Sequence, residues 1–255
     1  MENRKITNMK VLENVNIAKD TFRIRLDSAD SIFDYPAGTF LNIKLKTGLF
    51  ILRRPISIFE YDEENRVITL IYKIMGDGTR ELSKVKTGEY LDVLGPLGTG
   101  FPIFEDEGKV LLIGGGVGVP PLYELGKRLV ENGREVVSVL GFRDKDSIFA
   151  MEEFETLGEV YICTDDGSYG YHGNVAMAVK NYKIDFDVLY GCGPLPMLKA
   201  IDLEYSGIKK GYLSFEERMA CGIGACYACM HETKDGLKRV CKEGPVFRLG
   251  ESVYE

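Results

Sequence analysis

The sequence predicts a multi-domain chain of mixed β and α/β class: an antiparallel β-barrel, a doubly wound parallel-sheet domain, and a small cysteine-rich C-terminal domain. Three observations carry that expectation. Short alternating apolar segments recur up to about residue 102, apolar strands alternate with helical segments from about 108 to 205, and four of the six cysteines crowd between Cys221 and Cys241. The expected divisions are 1–102, 103–210 and 211–255.

In the first segment "TFRIRLD", "TFLNIKLK", "PISIFEY", "RVITLIYKI" and "EYLDVLG" read as strands separated by turn residues, the spacing of an antiparallel barrel. One helix is expected there, at "TRELSKVK" after the Gly76-Asp77-Gly78 turn. In the second segment "KVLLIG" reads as a buried strand leading into "VPPLYELGKRLVENG". Leu122, Leu125 and Leu129 share one face of that helix, Pro120 and Pro121 suit its first turn, and Gly133 stops it. "EVVSVLGF", "EVYICT" and "DVLYGCG" supply further strands and "PLPMLKAI" a helix, the alternation of a doubly wound sheet. In the third segment "MHETKDGLKRV" reads as a hairpin turning at Asp235-Gly236.

Composition narrows the function classes. With 255 residues, 45% of them hydrophobic, the chain can bury proper cores, and a formal charge of -7 gives no support to nucleic-acid binding. No run approaches the roughly 18 unbroken apolar residues of a membrane span, so neither nucleic acid nor membrane is an expected partner and the expected location is cytoplasmic. In that compartment thiols stay reduced, so the cysteines call for an explanation other than disulfides.

Their spacing is C-x4-C-x2-C-x11-C over Cys221, Cys226, Cys229 and Cys241, the pattern with which plant-type ferredoxins hold a [2Fe-2S] cluster. Gly222, Gly224, Ala225 and Ala228 let such a loop wrap closely and aim backbone N–H groups at the sulfurs. Structural zinc, the competing reading, usually takes two short-spaced pairs, which the x4 gap and the distant fourth cysteine fit poorly.

The glycine-rich "LLIGGGVGVPPL" follows a strand and opens a helix, where backbone N–H groups can hold a pyrophosphate, although Val119 occupies the last position of the G-x-G-x-x-G pattern. A tight turn without a ligand would look similar. Gly191, Cys192 and Gly193 end a later strand of the same sheet, where such sheets bind ligands, and Cys192 equally suits a small core position. Asp165 and Asp166 fit either the same crevice or a solvated turn, and Arg143, after the second parallel strand, could hold a ribose 2′-phosphate. In the barrel, Arg54 of "RRPIS" suits a phosphate and Ser57 a polar ring edge, against the plain alternative of an edge strand. "GDGTRELS" adds a second glycine-led helix start.

Together these segments resemble the ferredoxin-reductase superfamily, and within it the electron-transfer subunits of bacterial NAD-dependent, two-subunit dihydroorotate dehydrogenases. The resemblance rests on "RRPIS", "GPLGTGF", "LLIGGGVGVPPLYEL", "TDDGSYG" and "CGPLPMLKA", which recur across the superfamily, and above all on "ERMACGIGACYACM" with "VCKEGPVF". It implies a flavin-binding barrel, a nicotinamide-nucleotide domain and a [2Fe-2S] domain. By the same resemblance Arg54 holds the FAD pyrophosphate and Ser57 approaches the flavin ring, with Pro55 and Ile56 between them and Ile71, Tyr72, Lys73, Gly78 and Thr79 completing the site. Ile56 stands where many superfamily members carry a tyrosine, which removes an aromatic stack. Gly114, Gly115, Gly116, Gly118, Gly191, Cys192 and Gly193 lie along NAD, with Cys192 near the nicotinamide as the one candidate catalytic residue; Cys221, Cys226, Cys229 and Cys241 bind the iron.

Nicotinamide nucleotides exchange electrons in pairs and iron–sulfur clusters pass them singly, so a flavin between them has a physical purpose. The three segments leave no substrate domain, and neither His172 nor His231 sits in a recognisable acid–base constellation, so electrons must come from another polypeptide. The resemblance identifies that partner as an FMN-containing subunit oxidising dihydroorotate in pyrimidine biosynthesis, in a heterotetramer with two copies of each chain. The implied path runs FMN, cluster, FAD, NAD. Two other readings stand beside it: a reductase subunit coupling NAD(P)H to ferredoxin or a hydrogenase, and a zinc-stapled interaction module without enzymatic activity.

Overall fold

The computed structural model of the chain describes residues 5–28, 35–46, 48, 50–104 and 108–254. Six strands close a barrel in the order β1-β2-β5-β4-β3-β6: β1 (Lys5–Ala18), β2 (Thr21–Asp27), β3 (Phe40–Lys44), β4 (Arg54–Asp62), β5 (Val67–Lys73) and β6 (Tyr90–Leu97). Alternation fills the interior. Ile24 and Leu26 of β2, Leu41 and Ile43 of β3, and Ile68, Leu70 and Tyr72 of β5 all point into one core.

β1 was not expected from the sequence. Only Met9 and Val11 of its residues are buried, because the strand pairs with β6 through Lys5–Lys10 and with β2 through Lys10–Ala18, with register shifts at Val11/Glu13 and Asn16/Ala18. It supplies the strand that closes the barrel.

The barrel's helix, α1 (Asp77–Leu82), begins earlier and ends earlier than "TRELSKVK" suggested. Asn14 of β1 explains the stop, since its Nδ2 donates to the carbonyls of Leu82 (3.0 Å) and Val85 (2.9 Å) and so satisfies the orphaned end of the helix.

The second architecture is a seven-stranded sheet in the order β10-β9-β8-β7-β11-β12-β15. Its strands are β7 (Val110–Gly115), β8 (Val136–Phe142), β9 (Gly158–Thr164), β10 (Tyr171–His172), β11 (Val188–Cys192), β12 (Lys210–Ser214) and β15 (Val246–Arg248), all paired in parallel except β12 with β15. Helices α2 (Pro120–Glu131), α3 (Met151–Glu155), α4 (Val175–Asn181) and α5 (Leu195–Tyr205) connect the strands. Leu122, Leu125 and Leu129 are buried on one face of α2, and Gly133 adopts φ +75° just past its end. Chain order reverses between β7 and β11, and a crevice forms outside the carboxyl ends of strands at such a point.

β15 and all of β12 except Lys210 fall in the expected third segment yet belong to this sheet, so the cysteine-rich region is sewn to the nucleotide-domain architecture by two strands. Its own hairpin pairs β13 (Met230–Thr233) with β14 (Gly236–Arg239). Thr233 pairs with Gly236, so the turn residues are Lys234 and Asp235, one position earlier than expected. Gly236 instead opens β14, where the Thr233 hydroxyl donates to its carbonyl at 2.7 Å.

Barrel and sheet meet along α2 and β4. Phe59 stacks on Tyr123 with ring centroids 4.5 Å apart, and Lys127 pairs with Glu60 at 2.7 Å. Buried Glu124 accepts from the Tyr61 backbone N–H and from Arg128. These contacts fix the crevice relative to the barrel.

Candidate functional site

The first group of candidate residues lines β4, the end of β5 and the start of α1. Ile56 packs toward the barrel core, so alternation turns Pro55 and Ser57 to the opposite side of β4. Arg54 opens the strand, its guanidinium 5.1 Å over the Phe50 ring and bonded to the carbonyls of Leu52 (2.7 Å) and Arg53 (3.2 Å). The same guanidinium rests on Gly78, where a Cβ would overlap it. Arg54 and Gly78 are thus one structural unit, a cation laid across the first turn of α1. Thr79 is engaged locally: its hydroxyl accepts from the N–H groups of Met75 (2.9 Å) and Gly76 (3.3 Å) and donates to the Gly76 carbonyl (3.1 Å).

On β5 the candidates divide by alternation. Ile71 packs with Phe59, Val119 and Tyr123 between barrel and sheet. Lys73 lines the crevice. Tyr72 points the other way, buried in the barrel with its hydroxyl donating to Asn14 Oδ1 at 2.9 Å, so its ring has no free face for a ligand.

The crevice at the chain-order reversal has a volume of about 240 Å³ and is walled by Gly115, Gly116, Arg143, Asp165 and, from further along the chain, Pro194 and Met197. Gly116 has φ +52° with open space where a Cβ would stand, the geometry for close approach by a ligand. Gly114 packs against Val119 and Gly191 against Leu213, so these two glycines serve sheet packing. Gly118 and Gly193 let the β7 and β11 loops touch. A Cβ on Gly118 would overlap the Cys192 carbonyl, and one on Gly193 would overlap the Met197 methyl group.

Gly118→Ala is therefore expected to push the two loops apart and raise KM for the nicotinamide nucleotide about tenfold, roughly the loss of one hydrogen bond. Flavin content should stay unchanged. Steady-state dye reduction on flavin-loaded protein measures both, and an unaltered KM would remove the loop contact from the nucleotide site.

Burial pushes the Cys192 thiol up to about 12 despite a bond with Ser214, so it stays a neutral thiol near pH 7. Asp166 binds Ser168 in a solvated turn, at 2.9 Å to its N–H and 2.6 Å to its hydroxyl, while Asp165 lines the crevice.

The cysteines form the third group. No three His, Cys, Asp or Glu side chains among the described residues already converge as a single-ion site. The thiols instead stand as two pairs, Cys221 with Cys226 and Cys229 with Cys241. Two pairs suit a cluster of two metal ions, each needing two thiolates. Backbone donors already face the sulfurs: Ile223 and Ala225 N–H to Cys221 Sγ at 3.4 and 3.3 Å, and Gly224 N–H to Cys241 Sγ at 3.1 Å. Burial raises the Cys221 thiol, but donation from Ile223, Cys226 and Ala225 outweighs it and brings the group down to about 6. Cys241 moves the other way, pushed up to about 12 by burial and by neighbouring Cys229, so it is the backbone N–H groups aimed at paired sulfurs that fit the donor set of an iron–sulfur cluster.

The loop's shape depends on glycine. Gly222 and Gly224 adopt φ +72° and +84°, and Cβ atoms there would collide with Asn42 Nδ2 and, at 2.6 Å, with Lys242 Cδ. Arg239 ties the loop down by donating to the Gly224 carbonyl at 2.7 Å, pairing with Glu243, and lying 4.8 Å over the Tyr227 ring. Cys226 is exposed while Cys229 and Cys241 are buried, so the loop presents one side to solvent. Sequence reasoning missed Asn42, Arg239, Lys242 and Met197. Met197 lies in "CGPLPMLKA" and Lys242 in "VCKEGPVF", Asn42 and Arg239 in segments read as strand and hairpin, and no local pattern marks any of the four as a site residue; only the tertiary fold brings them to the sites.

Comparison with known proteins bears on the whole chain. The oxidoreductase FAD-binding domain matches residues 8–101, the oxidoreductase NAD-binding domain residues 112–202, and the iron-sulfur cluster binding domain of dihydroorotate dehydrogenase B residues 216–252. A protein of Bacillus cereus (strain G9842) named dihydroorotate dehydrogenase B (NAD(+)), electron transfer subunit, is 48% identical over 254 residues, covering 96% of this chain and 98% of that protein. One of the same name from Bacillus anthracis (strain CDC 684 / NRRL 3495) is 47% identical over the same span. Among solved structures, a chain from the study of NADH-dependent reduced ferredoxin-NADP oxidoreductase, a work on flavin-based electron bifurcation, superposes with TM-score 0.88 and 32% identity over 96% of this chain and 90% of its own. Phthalate dioxygenase reductase shares the fold, with TM-score 0.66 at 16% identity over 90% of this chain and 87% of its own.

Proposed function

The chain belongs to the family of dihydroorotate dehydrogenase B electron transfer subunits, and from that premise we propose that it carries electrons from a catalytic partner subunit to NAD. One observation supports this reading above the others. Three consecutive barrel strands link the three candidate sites: β3 carries Asn42, which holds the cysteine loop; β4 carries Arg54 to Ser57; and β5 delivers Lys73 to the crevice beside Gly115 and Gly116.

FAD and a [2Fe-2S] cluster, when bound, supply the conversion between single electrons and the pair carried as hydride. The chain's own residues hold and orient. Arg54 and Gly78 offer a cationic seat for the flavin pyrophosphate, Pro55 and Ser57 face the ring, and the crevice at Gly115 and Gly116 takes the nicotinamide nucleotide. Cys192 stays neutral and so places no charge beside the nicotinamide. Cys221, Cys226, Cys229 and Cys241 supply thiolates for the two irons. We propose the partner to be an FMN-containing subunit oxidising dihydroorotate to orotate, assembled as two copies of each chain. The functional units are proposed at 1–102, 103–210 and 211–255, and the location as cytoplasmic, where free thiols persist. Among the described residues no helix is long and apolar enough to cross a membrane.

The test is reconstitution with an FMN-containing dihydroorotate-oxidising subunit, followed by the absorbance of the reduced nicotinamide ring. Dihydroorotate-dependent NAD reduction is expected; its absence with both cofactors loaded would overturn the assignment. The likeness to the ferredoxin-linked bifurcating enzyme favours a second reading, a reductase subunit coupled to ferredoxin. In that case reduced ferredoxin, and not dihydroorotate with its subunit, would drive nucleotide reduction.

Nucleotide choice turns on Arg143, which lines the crevice, keeps 73% of its side chain exposed and sits 3.4 Å from Asp144. Arg143→Ala is expected to weaken any use of NADP by about tenfold or more, the loss of one charge-assisted phosphate bond, while NAD kinetics change less than about twofold. Parallel titrations with the two nucleotides check it, and equal losses for both would show that Arg143 does not face the 2′ position.

A further inference from the structure

We propose that Asn42 is a positioning residue for the iron–sulfur centre, holding the Cys221 peptide so that its carbonyl turns toward the barrel and the N–H groups that follow turn toward the cluster sulfurs. The inference rests on the reading of the four cysteines as cluster ligands.

Asn42 lies in β3 between Leu41 and Ile43, both fully buried in the barrel core, and is itself 1% exposed. Its backbone is fixed by pairing with Pro55 of β4 and by Arg53, which donates to its carbonyl at 3.2 Å. The side chain reaches across to the cysteine loop. Nδ2 donates to the Cys221 carbonyl at 3.4 Å and lies so close to Gly222 that a Cβ there would overlap it. Oδ1 is buried with no hydrogen-bond partner among the described residues.

A buried carbonyl left unpaired is costly, and a leucine, of the same branched shape though larger, would remove that cost. The side chain earns its place through what its amide does. It clamps the peptide that immediately precedes the donors Ile223, Gly224 and Ala225, all of which face Cys221 or Cys241 sulfur. If the Cys221 peptide rotates, its carbonyl oxygen brings a negative dipole end toward the sulfurs and the donors fall out of line. Both changes disfavour the form of the cluster that has gained one electron. The loss of Asn42 therefore lowers the cluster's reduction potential.

The experiment is a mediator titration of the isolated FAD- and cluster-loaded subunit, reading the reduced cluster by electron paramagnetic resonance, for the natural chain and for Asn42→Leu. At a fixed poise the reduced-to-oxidised ratio is expected to fall about tenfold, which for a one-electron couple is about 59 mV. A fall in the ratio of about threefold or more supports the assignment, and a smaller one overturns it. If Asn42→Leu does not load iron, Asn42→Ala, which leaves a hole where leucine could overpack, is read by the same criterion. Absence of iron in the natural chain would sink the cysteine assignment itself, an outcome distinct from an iron-loaded variant with an unmoved potential.

Discussion

Cys226→Ser is expected to abolish cluster binding and electron exchange with the partner subunit while leaving NADH oxidation by a soluble dye within about twofold of the natural chain. Dye reduction draws on the flavin and the crevice alone, since the two-electron chemistry needs no iron. The substitution is isosteric to within one atom, and Cys226 is exposed, so folding of the barrel and sheet is not at issue. What changes is the donor. A serine hydroxyl stays protonated where a thiol ionises, so the loop is left with three thiolate donors for a cluster that needs four. Removing an outer-shell partner of a metal site costs about 10–100-fold in affinity, and removing a ligand exceeds that. Iron analysis, the visible spectrum and parallel assays with dye and with partner subunit measure the separation. Loss of both activities together would contradict the division of labour between barrel and cysteine loop.

The fold was largely legible in the sequence where a local pattern encodes it. β2 to β6 alternate, and the C-x4-C-x2-C-x11-C spacing carries its chemistry in a single stretch. β1 escaped because a strand shared between two partners with register shifts presents no continuous apolar face. The hairpin turn slipped by one residue because Asp-Gly is a strong turn signal, yet Gly236 uses its φ of +102° as the first residue of a strand. Tyr72 shows the opposite case. It entered the flavin group by resemblance, whereas its phase with Ile68 and Leu70 already pointed the ring into the barrel. Asn42 carried no local signal at all. A polar residue between Leu41 and Ile43 reads as an outward strand position, and only the docking of the cysteine loop against β3 reveals what it holds.

Arg54→Ala is expected to release FAD, raising its dissociation constant by about 10–100-fold, the equivalent of one charge-assisted phosphate bond of roughly 1.5–3 kcal/mol. The argument runs through Gly78. The guanidinium is already anchored by the Leu52 carbonyl at 2.7 Å and steadied over the Phe50 ring, so it reaches the start of α1 in a fixed pose rather than as a swinging side chain. Preorganisation of that kind turns a surface cation into a phosphate site, since little side-chain freedom remains to be lost on binding. Gly78→Ala then separates charge from position. Its Cβ would overlap the guanidinium and push it off the helix start while the positive charge stays in the neighbourhood. Both variants should lose flavin, with circular dichroism of the apoprotein unchanged, if the pose matters. If Gly78→Ala holds FAD as the natural chain does while Arg54→Ala does not, charge alone suffices. If both retain stoichiometric flavin on dialysis, the pyrophosphate lies elsewhere on the barrel and the assignment of β4 falls with it.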